Sequence, residues 1–243
     1  MASVAHYSRH LAKSKVMRRN PCIHEQAPYN RAMNSSDSPH SKKAPPEFPR
    51  LDPAGAAFWD VRFEADFTPW DQGGVPQCLT DYVDRQPAPR RVLIPGCGAA
   101  HEVRFFCENK WPVKAIDFSP AAVARARTVL GHLGFSVEQG DFFAPSSAVE
   151  KYDVIYERAF LCALPAHLRR AWADRVAALL PSGGHLIGFF FFDVPGRGPP
   201  FPIAREELDA LLTNRFTLIE DAIPPDSIAV FAGREKWQVW QRC

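Results

Sequence analysis

The chain has 243 residues, 46% of them hydrophobic, which is enough to build one sizeable core. Its formal net charge of +2 is unevenly spread: residues 1–50 carry nine Lys/Arg against three Asp/Glu, whereas the remaining residues carry 20 against 24. The larger part is therefore slightly acidic, and we expect no nucleic-acid partner because no excess of positive charge would hold a phosphate backbone.

The six cysteines form no Cys-x-x-Cys pair and have no histidine at zinc-ligand spacing, so we expect no metal. Reduced, mostly buried thiols are expected instead, which favours a reducing, cytoplasmic location. No apolar run approaches the roughly 20 residues of a membrane-spanning helix. The longest run, residues 186–192, fits a buried strand. We therefore expect a monomer without a membrane partner.

Residues 1–46 differ in composition from the rest of the chain. They are rich in Ser, Arg, Lys, Asn and Pro, poor in acids, and lack sustained apolar periodicity. This composition predicts a disordered N-terminal extension, with the globular domain covering residues 47–243. An organelle transit peptide and a non-native upstream start codon are the two other interpretations.

Strands and helices are predicted to alternate through the globular part. Residues 58–63 are typical of a helix start with an aromatic face, and residues 68–74 of a turn-rich loop. The strands that follow are predicted at residues 91–95, 113–117, 136–139, 152–157, 185–192, 216–221 and 237–242. The helices are predicted at residues 99–110, 120–132, 166–180 and 205–212.

This alternation favours a mostly parallel sheet with helices on both faces. The last two strands differ, because residues 222–236 between them are rich in Pro and have no helical period. They are expected to pair as an antiparallel terminal hairpin. Seven strands that end in this way predict an α/β fold of the Rossmann-like class I methyltransferase type.

The first predicted strand ends in a glycine turn. Gly96 and Gly98 lie where this strand gives way to a helix, and glycine lets a bound cofactor lie against bare backbone there. The third spaced glycine of the dinucleotide-binding pattern is absent, since Ala-Ala-His occupies residues 99–101. A single Gly-x-Gly also occurs at strand–helix turns for steric reasons alone.

Asp117 closes the second predicted strand, 19 residues after Gly98. An acidic side chain there can accept hydrogen bonds from both ribose hydroxyls, although it could also cap a helix. Asp141 and Phe142 follow the third strand, where a polar side chain and an aromatic ring can hold an adenine by edge and face. A nicotinamide dinucleotide usually needs the fuller glycine pattern, because its pyrophosphate must be neutralised at the helix start. S-adenosyl-L-methionine has no phosphate and tolerates the looser turn, so it is the predicted cofactor.

Four segments in chain order resemble the thiopurine S-methyltransferase family, and in particular its thiol and halide methyltransferases. They are Trp59, the Thr-Pro-Trp-Asp loop 68–71, the Pro-Gly-Cys-Gly turn 95–98 and the segment 156–164. The resemblance covers about residues 55–243. It implies S-adenosylmethionine-dependent methyl transfer to a small nucleophile, above all a thiol or a thiopurine sulfur, with a halide or a selenium compound as further acceptors.

The resemblance also implies roles for single residues. Trp59 and Trp70 would close over the cofactor, and Gly96 would lie against its methionine part. Phe63 stands where the family has a tryptophan, so ring stacking is kept and the indole N–H is lost. Arg158 would position the acceptor; the thiopurine branch also has an arginine at this position, whereas the thiol and halide branch tends to have a tyrosine. The implied cofactor contacts are Trp59, Phe63, Trp70, Gly96, Asp117, Asp141 and Phe142.

The sequence shows no convincing general base within these motifs. This fits an acceptor that is already partly anionic, such as a thiol or a halide, better than an amine or an alcohol. Phe160, residues 189–192 and Phe201 could form a dry acceptor pocket, although 189–192 also fit a buried central strand. The competing hypotheses are a small-molecule O- or N-methyltransferase and a non-catalytic cofactor-binding module that regulates a partner.

Overall fold

A seven-stranded sheet runs through the part of the chain that the computed structural model describes, residues 46–144, 150–194 and 196–243. All but the last residue of the extension predicted at 1–46 lies outside this part. The helices are α1 (Ala56–Glu64), α2 (Gln77–Asp84), α3 (His101–Glu108), α4 (Pro120–Leu130), α5 (Arg169–Leu179) and α6 (Arg205–Leu212). The strands are β1 (Val92–Pro95), β2 (Val113–Asp117), β3 (Val137–Gln139), β4 (Val154–Arg158), β5 (His185–Phe191), β6 (Phe216–Ala222) and β7 (Glu235–Arg242).

The strand order across the sheet is β3-β2-β1-β4-β5-β7-β6. Strands β1 to β5 pair in parallel, whereas β7 lies between β5 and β6 and is antiparallel to both. The predicted parallel sheet with an antiparallel C-terminal hairpin is therefore confirmed. Each predicted strand is present, with ends that differ from the prediction by no more than two residues.

Local sequence explains why these elements form. At the start of α4 the hydroxyl of Ser119 accepts the N–H of Ala122 at 3.1 Å, and Pro120 occupies the first helical position. Residues 186–191 of β5 are all buried, because this central strand has a partner on each side and is covered on both faces. Trp237 and Trp240 are fully buried in the core.

The sequence prediction missed α2. Its buried residues Leu79, Tyr82 and Val83 lie three and four positions apart, so they form one apolar stripe that packs on the sheet core. The helix has only eight residues and follows a Gly-Gly-Val-Pro turn, which left too short a periodic segment to detect. The helix predicted at 166–180 begins with a 3-10 turn, Ala166–Leu168, before α5.

None of the helices described is long and apolar enough to cross a membrane.

Candidate functional site

A cleft of about 640 Å³ opens at the carboxyl ends of β1, β2 and β4. The chain runs from β1 outwards through β2 to β3 and then crosses back to β4 on the other side of β1, so the strand order reverses here. Open α/β sheets bind ligands at such a switch point. Helix α1 and the following loop form the facing wall. The structure brings every predicted site residue to this cleft: Trp59, Phe63, Trp70, Gly96, Asp117, Asp141, Phe142 and Arg158.

The glycine turn after β1 presents bare backbone to the cleft. Gly96 has φ of +57° and Gly98 has φ of +51°, values that residues with a Cβ adopt at a cost. A Cβ at Gly96 would also collide with the ring of Phe160. Gly96 therefore meets two requirements at once, the backbone conformation and the close approach of an aromatic ring.

The carboxylate of Asp117 is buried and holds this turn in place. It accepts the N–H of Gly98 at 3.0 Å and the N–H of Ser119 at 2.9 Å. Burial raises the pKa of Asp117, and these backbone hydrogen bonds oppose that rise. The sequence predicted a ribose contact or a helix cap. The structure shows that Asp117 also joins the glycine turn to the start of α4, with acceptor capacity left for a ligand.

Three aromatic side chains form the outer wall of the cleft. The ring centroids of Trp59 and Trp70 are 5.5 Å apart, and those of Phe63 and Trp70 are 6.0 Å apart, both pairs edge to face. The indole N–H of Trp59 donates to the carbonyl of Pro53 at 2.9 Å. Trp70 thus packs against two rings of α1, although it lies in a loop rich in Pro and Gly.

An ion pair fastens this loop to α3. Nε2 of His101 lies 3.0 Å from Oδ1 of Asp71, and Asp71 also accepts the N–H of Gly73 at 2.8 Å. The hydrogen bond with Asp71 raises the pKa of His101, and the same bond lowers the pKa of Asp71. No local sequence pattern indicates this contact, because Asp71 and His101 are 30 positions apart.

The residues predicted to contact the adenine lie in the loop that follows β3. Asp141 is exposed and its carboxylate accepts the N–H of Phe143 at 2.8 Å. Phe142 is buried, and its ring centroid lies 5.4 Å from that of Phe160. The polar and aromatic side chains predicted at this position therefore lie side by side at the cleft.

Arg158 lies at the end of β4, on the other side of β1 from the loop that carries Asp141 and Phe142. Its guanidinium carbon lies 4.0 Å above the centroid of Phe189, Nη2 donates to Oε1 of Gln72 at 3.3 Å, and Nη1 lies 3.5 Å from a carboxylate oxygen of Glu235. Glu235 is buried, and β7 brings it beside β5 and hence close to Arg158.

The predicted apolar acceptor pocket is only partly correct. Phe160 lines the cleft, whereas Phe201 and the phenylalanines at 189–192 do not. The reason is that β5 is central, so residues 189–191 are buried within the sheet core. Other apolar residues line the cleft instead: Leu164, Leu168, Pro199, Pro200, Val230 and Phe231.

Two further buried carboxylates escaped the sequence analysis. Glu157 accepts the N–H groups of Phe160 and Leu161, each at 2.9 Å, and burial raises its pKa to about 7. Glu102 lines the cleft itself, and burial raises its pKa as well. Acidic residues are rarely buried without a partner, so nothing in the sequence distinguished these two from surface acids.

The residues present fit S-adenosylmethionine as the cofactor. A glycine turn with a Cβ-free backbone, a buried strand-end aspartate and a wall of three aromatic rings suit a nucleoside joined to an amino acid. Cleft carboxylates such as Glu102 and Asp117 suit a ligand with positive charge on its sulfonium and ammonium groups. In the described ranges, no cluster of His, Cys, Asp and Glu is arranged to hold a metal ion.

Comparisons with known proteins agree with this geometry. The family model of thiopurine S-methyltransferase matches residues 54–243. Probable thiol methyltransferase 2 of Arabidopsis thaliana is 34% identical over 160 residues, which cover 63% of this chain and 70% of that protein. Thiocyanate methyltransferase 1 of Brassica oleracea is 31% identical over 194 residues, covering 76% and 84% of the two chains.

A solved structure with the same fold contains the demethylated cofactor. It is 1,6-didemethyltoxoflavin-N1-methyltransferase of Burkholderia thailandensis, determined with 1,6-didemethyltoxoflavin and S-adenosylhomocysteine bound. Its TM-score is 0.63 at 17% identity, covering 82% of this chain and 94% of that one. This likeness shows the class I methyltransferase fold, and the family match extends over most of the chain. The chain therefore belongs to the thiopurine S-methyltransferase family and is an S-adenosylmethionine-dependent methyltransferase.

Proposed function

We propose that the cleft transfers a methyl group from S-adenosylmethionine to the sulfur of a small thiol or thiopurine. The observation that carries this proposal is the acceptor side of the cleft, where the side chain of Arg158 is only 11% exposed and its guanidinium lies over the ring of Phe189. A guanidinium in dry surroundings favours an acceptor in its anionic form. The relatives named for thiol and thiocyanate methylation support a sulfur acceptor.

The proposed cofactor contacts follow the arrangement of the cleft. Asp117 would hold the ribose hydroxyls, Asp141 and Phe142 the adenine, and Gly96 the methionine part. The aromatic wall of Trp59, Phe63 and Trp70 would close over it from the side of α1. When bound, S-adenosylmethionine supplies an electrophilic methyl group on a sulfonium.

The residues of the chain contribute alignment and the exclusion of water. Methyl transfer is an in-line displacement, so holding the two reactants in contact is the main requirement. Phe160 packs between the glycine turn and Phe142, at the boundary of the cofactor side and the acceptor side. The guanidinium of Arg158 is held by Gln72 and Glu235, which fixes where an anionic sulfur would be stabilised.

Three titratable groups of the cleft, His101, Cys97 and Cys162, do not offer a ready base. His101 is bonded to Asp71, and its pKa is raised by that contact. The thiols of Cys97 and Cys162 have pKa values raised by burial, which keeps them protonated and unreactive. His167 lies exposed at the cleft on the 3-10 turn. An acceptor that ionises by itself suits this set better than an amine or an alcohol.

We also propose a cytoplasmic monomer without nucleic-acid or membrane partners. The reducing compartment is supported by Cys78, Cys97, Cys107, Cys162 and Cys243, all of which are free thiols. The globular domain is proposed to begin at residue 47, within the compact unit Pro46–Cys243.

Transfer of labelled methyl to matched acceptors tests the proposed acceptor. Thiophenol, phenol and aniline differ in a single heavy atom, and a thiopurine, thiocyanate and iodide complete the panel. We expect kcat/KM for thiophenol to exceed the values for phenol and aniline. Preference for phenol or aniline would establish an O- or N-methyltransferase instead. Binding of S-adenosylhomocysteine without turnover on any acceptor would favour the non-catalytic regulatory module.

A further inference from the structure

Glu102 is a buried acid that lines the cleft, and neither the fold nor the contacts proposed above explain it. It lies in the first turn of α3, and only 9% of its surface is exposed. In the described ranges, its side-chain hydrogen bond is with the hydroxyl of Tyr156, at 3.2 Å. A carboxylate can accept about four hydrogen bonds, and burying one with so few is costly. Glu102 therefore has acceptor capacity that a ligand could use.

The position of Glu102 complements that of Asp117. Both flank the glycine turn after β1, but on opposite sides of that strand. Asp117 ends β2 and holds the N–H of Gly98, whereas Glu102 is bonded to Tyr156 of β4. Because β1 lies between β2 and β4, a ligand whose ribose meets Asp117 and which crosses the turn would bring its other end to Glu102.

The charge of Glu102 selects one group at that end. The methionine part carries an ammonium and a carboxylate, and a buried carboxylate attracts the first and repels the second. Burial raises the pKa of Glu102, whereas the positive charges of Arg158 and His101 favour its ionised form and lower that pKa. An ammonium beside Glu102 would act in the same direction and add a charge-assisted hydrogen bond.

We propose that Glu102 accepts a hydrogen bond from the α-ammonium group of S-adenosylmethionine and so fixes the amino-acid end of the cofactor. The proposal rests on the proposed placement of the cofactor in this cleft. In this arrangement two acids divide the ligand between them: Asp117 recognises the nucleoside and Glu102 recognises the amino acid. A ligand that lacks the ammonium group can therefore distinguish the role of Glu102 from that of Asp117.

The test compares two ligands by titration calorimetry. One is S-adenosylhomocysteine, and the other is its deamino analogue, in which hydrogen replaces the ammonium. Glu102→Gln removes the charge while its amide oxygen can still accept from Tyr156, so the buried hydrogen bond is kept. We expect the substitution to weaken S-adenosylhomocysteine binding roughly 10- to 100-fold, the range for a hydrogen bond to a charged group. Affinity for the deamino analogue should be unchanged.

Asp117→Ala is the matched control, because it should weaken both ligands by the same factor. Equal loss for both ligands in Glu102→Gln, or no loss for either, would overturn the proposal. Loss for S-adenosylmethionine without loss for S-adenosylhomocysteine would assign Glu102 to the sulfonium and equally overturn it. If Asp117→Ala binds both ligands like the wild type, the proposed placement of the cofactor fails, and the role of Glu102 fails with it.

A second variant guards against a folding defect. If thermal unfolding shows that Glu102→Gln does not fold, Glu102→Asp retains the charge and withdraws it by one methylene. The wild-type preference for S-adenosylhomocysteine over the deamino analogue should then shrink. An unchanged preference would contradict a direct contact between Glu102 and the ammonium.

Discussion

At the scale of single residues, Asp117 has one observed role and one proposed role, and one substitution cannot separate them by activity alone. Its carboxylate holds the buried N–H groups of Gly98 and Ser119, and it is the proposed ribose ligand. Asp117→Ala should lower SAH (S-adenosylhomocysteine) affinity by about 1–3 kcal/mol and lower the free energy of unfolding by a similar amount, because two buried donors lose their acceptor. Calorimetry and urea unfolding measure the two effects.

Asp60→Ala provides the matched control for this prediction. Asp60 accepts the hydroxyl of Ser119 at 2.5 Å and the N–H of Ala121 at 3.2 Å, but it does not line the cleft. It should destabilise the fold and leave the SAH affinity of the folded protein unchanged. Wild-type SAH affinity in Asp117→Ala would contradict the ribose assignment.

Gly96 allows a second prediction at this scale. Gly96→Ala combines a positive φ with a collision against Phe160, whereas Gly233→Ala has a similar φ of +75° and open space around its Cβ. The second substitution should cost about 1–2 kcal/mol of stability, the price of a left-handed conformation. The first should cost more and also lose SAH binding. Equal unfolding free energies for the two variants would show that Phe160 moves aside freely.

At the scale of elements, the loop after α1 is joined to the body of the cleft at two points. Asp71 pairs with His101 of α3, and Gln72 accepts a hydrogen bond from Arg158 of β4. The same loop carries Trp70, part of the aromatic wall. Its position is therefore set by polar contacts with the two elements that flank the cleft, and one of these contacts depends on pH.

The sign of that pH dependence follows from the two pKa shifts. His101 has a pKa raised by Asp71, so its contribution to stability is full below the unfolded value of about 6.5 and is lost as pH rises through the folded value. Asp71 has a lowered pKa, so its contribution is full above about 3.9 and is lost as pH falls through the folded value. The pair should stabilise the loop most between about pH 4 and 6.5.

Asp71→Asn tests this, because asparagine can still accept the N–H of Gly73 while the charge is removed. NMR titration should show a lower His101 pKa in the variant than in the wild type. The free energy of unfolding should be higher for the wild type than for Asp71→Asn, and this difference should be smaller at pH 9 than at pH 5.5. The pKa of His185, which burial lowers to about 4 at the far end of β5, should not respond. An identical His101 pKa in both proteins would contradict the ion pair.

At the scale of the whole molecule, the parallel part of the fold is predictable because its signals are local. The strands β1 and β5 are apolar runs with clear ends, and α4 begins with a serine cap followed by proline. The site residues from Gly96 to Phe142 are likewise predictable, since parallel strands bring their carboxyl ends to one edge. Their positions in the sequence therefore translate directly into positions around the cleft.

The remaining features depend on contacts between distant parts of the chain. Glu235 reaches Arg158 only because β7 is inserted beside β5, and Asp71 reaches His101 only because the loop folds over α3. Glu102 is identical in local sequence terms to a surface acid at a helix start, and burial alone distinguishes it. No propensity or motif encodes these pairings, because each is decided by how whole elements pack.

We propose that the cleft methylates an acceptor that ionises by itself, without a base from the protein. The measurement that tests it most directly is the pH dependence of kcat/KM for three thiols of different acidity. The inflection should move with the pKa of the acceptor, because the thiolate is the reacting form. Arg158 can lower the pKa of every bound thiol together, which would shift the inflections of kcat and not those of kcat/KM, and the order among the three should remain.

His167→Ala should be measured in parallel, because His167 is the exposed histidine of the cleft. We expect the variant and the wild type to give the same three inflections, in the order of the acidities of the thiols. A single inflection shared by all three thiols, above all one that disappears in His167→Ala, would show that the protein supplies a general base and would contradict the account.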